Sequence, residues 1–175
     1  MAGFRTSIVK LSTVVFICSQ SIIFGALANL EKLPLPSPGP ETFAFDGNGG
    51  GPYTGISDGR IVKYEGPTTG FVDFAYTAPN RPKALCDGTD KATENETLGL
   101  TCGRPMGLDF NHRTGELYLV DGFYGLLVVG PEGGLATQLA IGANGVPFRL
   151  LEAIDVDEQT GIVYFSDVTA LYGMK

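Results

Sequence analysis

The chain has 175 residues and a formal net charge of −7, from 19 acidic and 12 basic side chains. An acidic chain without a basic stripe interleaved with aromatics is a poor ligand for a polyanion, which argues against nucleic acid as a partner. With one histidine, His112, metal sites built on two histidines are excluded, and any Ser-His-Asp triad would have to use that residue.

Residues 1–28 read as a secretory signal peptide. Arg5 and Lys10 precede the apolar runs Val14–Cys18 and Ile22–Ala28, and Ala26 and Ala28 form an A-x-A cleavage site. Ser19-Gln-Ser21 interrupts the apolar stretch, which falls short of the roughly 20 residues of a membrane span, and no later stretch supplies one. Without Arg5 and Lys10 the charge becomes −9, and 147 residues remain from Asn29. Cys18 leaves with the signal, so Cys86 and Cys102 remain. In a secreted chain such a pair is expected as a disulfide; two thiols with no nearby histidine cannot supply the four ligands of a zinc site.

Residues 29–40 form a proline-rich lead-in, Pro34, Pro36, Pro38 and Pro40, which a central strand cannot accommodate. Short strands are expected at Phe43–Phe45, Tyr53–Ile56, Arg60–Tyr64 and Phe71–Tyr76, with a wide turn over the glycines of 47–51. That turn lacks a Gly-Lys-Ser/Thr ending and leads into a strand, so it is not a phosphate loop. Residues 78–103 are an insertion carrying both cysteines and the glycosylation acceptor Asn95-Glu-Thr97. Strands then follow through Leu108–Asp121, Gly125–Val129 and Leu135–Ala140, and a further unit starts near Val146 and breaks off after Tyr172. No helical periodicity of useful length appears outside the signal.

Leu108–Asp121 returns 46 residues later as Ile154–Asp167, with Asp109/Asp155, Thr114/Thr160, Gly115/Gly161, Tyr118/Tyr164 and Asp121/Asp167 in register. A shift of 65 places Pro40, Phe43 and Tyr53 on Pro105, Leu108 and Tyr118, a third and degenerate copy. A period in the forties built from strands and glycine turns indicates propeller blades. The fold class is therefore all-β, with about three blades in a chain expected to be truncated. Such a fragment, with open strand edges, is expected to be inactive and poorly soluble.

Side chains that repeat with the fold are expected to serve it, so the four aspartates are assigned to backbone amides at turns and between blades. His112 lies in a hairpin turn, where water is hard to exclude, and is assigned no catalytic role. Functional residues are expected where the blades differ. Glu152 is such a place, since the matching residue is Met106. A carboxylate there suits a general base or a cation ligand, or is simply solvated.

The blocks Asp58–Gly66, Gly70–Ala75, Cys102–Arg104, Val128–Ala140, Gly145–Phe148 and Thr160–Val168 resemble the strictosidine synthase family of plants. The resemblance implies a six-bladed β-propeller with a signal peptide, a disulfide in the first insertion matched by Cys86 and Cys102, and delivery to the vacuole or outside the cell. It implies a Pictet–Spengler condensation of an amine with an aldehyde, tryptamine with secologanin in the namesake. The glutamate base would come from later blades, beyond Lys175, leaving no catalytic residue in this chain. Of the pocket positions, Leu150 and Glu152 stand where the synthase has aromatics, and Val168 matches a pocket valine. No cofactor is implied for that reaction. Hydrolase-like relatives acting on esters or lactones hold a divalent cation through Asn and Asp, and one ligand site would fall at Glu152-Ala153, with Glu152 the weak candidate. A non-enzymatic secreted propeller that binds a small molecule or a protein is the third reading, and the oligomeric state is left open.

Overall fold

The structure is a computed structural model that describes residues 31–90, 95–169 and 171. The chain divides into two units, Met1–Leu33 and Pro34–Lys175. Only residues 31–33 of the first are described, so the signal-peptide reading, with Cys18, lies outside the described residues, as does Tyr172. No helix among the described residues is long and apolar enough to cross a membrane.

The second unit is all-β apart from two short helices. Strands β1 (Tyr53–Gly55), β2 (Arg60–Tyr64) and β3 (Phe71–Tyr76) form an antiparallel meander. Two helices occupy the insertion, α1 (Lys83–Cys86) and α2 (Glu96–Cys102). At four and seven residues they are too short to show the periodicity on which sequence reading depends. The second blade comprises β4 (Pro105–Asn111), β5 (Glu116–Asp121), β6 (Gly125–Val129) and β8 (Thr137–Ala140), paired in that order. β9 (Gly142–Ala143) and β10 (Val146–Pro147) make a small hairpin. The third blade follows with β11 (Leu151–Asp157) and β12 (Ile162–Asp167).

The expected strand Leu135–Ala140 is split between sheets. β7 (Gly134–Leu135) runs parallel to β3 and extends the first blade, while β8 closes the second. The first blade's inner strand is also shorter than expected: Ala44 makes one bridge, to Tyr53. Its alternation is inverted, since Ala44 is buried while Phe43 and Phe45 are exposed. The small side chain is the one set against the core cluster containing Tyr53 and Phe110.

The 46-residue repeat holds at the level of the ladder. β4 pairs β5 as Pro105↔Asp121, then Leu108↔Leu119 to Asn111↔Glu116, with a register shift between Pro105 and Leu108. β11 pairs β12 as Leu151↔Asp167, then Ile154↔Phe165 to Asp157↔Ile162, with the same shift. The turns repeat too. Asn111 Oδ1 accepts from the Arg113 amide, Asp157 Oδ1 from Gln159, and Asp46 Oδ1 from Asn48 in the first blade. Gly115 and Gly161 adopt φ of 74° and 73°, which glycine reaches without a Cβ penalty.

The main core lies between the first two blades. Ile61, Leu117, Leu119, Leu127 and Val129 are fully or almost fully buried there, with Tyr53 set edge-on to Phe74 and Phe110 at 5.0 and 4.8 Å. A smaller cluster of Met106, Val120 and Leu151 joins the second blade to the third. Complete burial of each such aliphatic side chain contributes roughly 1.5–3 kcal/mol.

Candidate functional site

The pocket positions named from the sequence lie at the start of β11 and the end of β12. Asp167 accepts hydrogen bonds from the Arg149 amide at 3.1 Å and the Leu150 amide at 2.9 Å. The Val168 amide donates to the Leu150 carbonyl at 3.0 Å. Leu150 and Val168 are thus brought side by side, and Glu152 follows inside the register shift. The second blade has the same frame: the Arg104 amide donates to Asp121 at 2.8 Å, and the Gly122 amide to the Arg104 carbonyl at 3.0 Å. On one backbone frame, the second blade therefore carries Arg104, Met106 and Gly122 where the third carries Leu150, Glu152 and Val168.

The side chains at those positions differ in depth and charge. Arg104 is buried and reaches the first blade, donating to the Gly39 carbonyl at 2.8 Å and pairing with Glu41 at 2.6 Å. Burial lowers the affinity of its guanidinium for the proton, opposed by Glu41 and Asp121. Met106 packs in the small core cluster. Glu152 is exposed and has no hydrogen-bond or ion-pair partner among the described residues. Its carbonyl oxygen approaches β4 closely, standing 2.3 Å from where a Cβ on Gly107 would lie. Behind the site, the Phe148 ring meets Phe165 edge-on at 5.2 Å. In the sequence Phe148 falls at the end of the block Gly145–Phe148 and carries no assigned role.

Three of the four repeated aspartates, Asp109, Asp121 and Asp167, bond backbone amides at turns and between blades, whereas Asp155 is exposed and faces the Asp109 carboxyl instead. Asp121, 1% exposed, accepts from the Arg104, Phe123 and Tyr124 amides, and burial pushes its carboxyl upward against these donors. Asp109 accepts from the Phe110 amide and, across the blade boundary, from Val156; burial raises its carboxyl too. Cys86 and Cys102 form a disulfide with Cα atoms 5.5 Å apart, joining the ends of α1 and α2. Asn95 is exposed and caps α2, its Oδ1 accepting from the Leu98 amide at 3.2 Å. His112 lies at the opposite end of the hairpins from Leu150, Glu152 and Val168, a strand length of roughly 20 Å away.

A cavity of about 310 Å3 opens at Ile141, Gly142 and Val146, and one of about 210 Å3 at the hairpin turns beside Asp46 and His112. Leu150, Glu152 and Val168 line neither of them. Among the described residues no group of three or more His, Cys, Asp or Glu side chains is arranged to hold a metal ion. The divalent-cation reading therefore requires ligands other than those described.

Residues 25–64 match the family model described as strictosidine synthase-like, N-terminal. Over 145 residues, 82% of this chain and 40% of the relative, the chain is 48% identical to a strictosidine synthase of Catharanthus roseus. It is 43% identical to the protein named strictosidine synthase-like 12 of Arabidopsis thaliana over 164 residues, 93% of this chain and 48% of that one. With strictosidine synthase-like 10 of the same plant it shares 48% over 134 residues, 77% of this chain and 34% of the relative. The chain spans less than half the length of each of these curated relatives. On this similarity, distributed over blades that repeat in register, the chain belongs to the strictosidine synthase-like family.

Proposed function

We propose that these blades form one wall of a propeller enzyme that condenses an amine with an aldehyde, in the manner of a Pictet–Spengler reaction. The observation that carries this reading is the 48% identity to a strictosidine synthase across 82% of the chain. Leu150, Glu152 and Val168 are the wall residues, and the glutamate base is supplied from outside the described residues. A carboxylate on a pocket wall is costly to desolvate unless a cation meets it. In this reading the ammonium form of the amine meets Glu152, so the substrate carries a basic nitrogen in addition to any flat ring. Incubation of the full-length protein with tryptamine and secologanin, followed by mass spectrometry, should show the condensed product. Absence of product with these and with other amine–aldehyde pairs rejects the reading.

The unpartnered carboxylate of Glu152 also favours a second reading, a metal-assisted hydrolase of esters or lactones in which Glu152 supplies one oxygen ligand to a divalent cation. Such turnover would be abolished by a chelator and restored by the metal, whereas the condensation needs none. If neither activity is found, a secreted binding propeller is what remains. For all three we infer passage through the secretory pathway, to the vacuole or the cell exterior. The signal-like residues 1–28 and the Cys86–Cys102 disulfide support it, because such bonds persist in oxidising compartments.

A further inference from the structure

His112 stands at the tip of the β4–β5 hairpin, and its ring reaches the hairpins on both sides. Nε2 is 3.0 Å from the carbonyl oxygen of Phe45 in the first blade. Nδ1 is 2.6 Å from Oε1 of Glu158 in the β11–β12 turn. The Phe110 ring lies parallel beneath it, with centroids 6.5 Å apart. A backbone carbonyl and a carboxylate only accept hydrogen bonds. Both contacts are therefore bonds only when both ring nitrogens carry protons, that is, when His112 is an imidazolium.

We propose that His112 is a pH-sensitive clasp between three consecutive blades. Doubly protonated, it ties the Phe45 carbonyl to Glu158. On losing a proton it turns a lone pair towards one of them, and that arm lets go. The carboxylates around it come from three elements. Glu158 faces it from the β11–β12 turn, Asp109 from β4, and Asp46 shares its cavity from the first blade. Asp46 is already occupied by the Asn48 and Gly50 amides and the Tyr53 hydroxyl, which leaves Glu158 as the ring's partner. The Phe45 bond does most to raise the affinity of the ring for its second proton; burial opposes it, and Glu158 and then Asp109 add to the rise, which prevails.

The sign follows from that direction. A histidine whose folded value is raised stabilises the fold below its ordinary value, about 6.5, and loses that contribution as pH rises through the folded value. In the full-length protein, the imidazole carbon-bound proton resonance of His112, identified by its loss in His112→Gln, should titrate with a midpoint above about 6.5. Glu158→Gln should move the midpoint down. Thermal melts of wild type and His112→Gln should differ by about 1–4 °C at about pH 5 and converge at about pH 8. A midpoint at or below 6.5, or a melting difference that persists unchanged at the higher pH, overturns the proposal. Should His112→Gln fail to fold, the resonance is identified as the one displaced in Glu158→Gln, whose substitution is at an exposed side chain. No displacement in that variant also overturns it.

Discussion

Asp121 and Asp167 occupy equivalent places in consecutive blades, one buried with three amide donors and the other exposed with two. Removing an acceptor from buried donors costs roughly 1–3 kcal/mol per group, whereas an ordinary hydrogen bond contributes about 0.5–1.5 kcal/mol. Asp121→Ala should therefore lower stability by about 3 kcal/mol or more, and Asp167→Ala by no more than about 1.5 kcal/mol, compared by urea denaturation midpoints. In the proposed enzyme Asp167→Ala should act mainly on substrate affinity, because it frees the Arg149 and Leu150 amides beside the pocket wall. The service of these carboxylates to the backbone was legible in the sequence because they recur with the fold. The partners of His112 were not, since Phe45 is 67 positions away and only folding brings the two turns together.

Among the elements, the insertion departs most from the blade pattern. Its helices are anchored by the Asn95 cap at one end and by the disulfide at the other. The cysteines are 16 positions apart, so in the chain-entropy model Cys86→Ser should cost about 3 kcal/mol, read as a fall in melting temperature relative to wild type. The Asn95 cap uses only the side-chain oxygen, leaving its nitrogen for a glycan. Protein made in plant cells should lose mass at this position on endoglycosidase treatment, and Asn95→Gln should abolish that change. Sequence reading found the cysteine pair and the acceptor motif but missed both helices and the transfer of β7 to the first blade. Leu135–Ala140 reads as one strand because the chain passes from one sheet to the other within residue 136. No change of hydrophobic pattern marks that switch.

At the scale of the whole second unit, polar contacts and close backbone approaches supplement the two apolar clusters that join the blades. Thr42 donates its hydroxyl proton to the Met106 carbonyl and accepts from the Leu108 amide, Arg104 reaches Glu41, and Asp109 receives the Val156 amide. Gly107 admits the Glu152 carbonyl where any side chain would collide. Gly107→Val should therefore separate the second and third blades, costing roughly 1–3 kcal/mol. Hydrogen exchange should accelerate at the β11 amides before it does in the first blade, and turnover of the proposed enzyme should fall in the same variant. The blade architecture was legible because period, turn residues and alternation agree. The proposed wall was legible only as a place where the blades disagree, at Glu152 against Met106, because a residue that does not recur carries no periodic signal.

The shared register of the β4–β5 and β11–β12 hairpins makes the mouth of the proposed pocket a rewritable surface. Residues 150, 152 and 168 hang from a ladder that the preceding blade already builds with an arginine, a methionine and a glycine. Evolution, or an engineer, can change the recognition vocabulary at these places while leaving the grammar of the sheet intact. A library confined to these three codons should yield mostly folded proteins that differ in what they select.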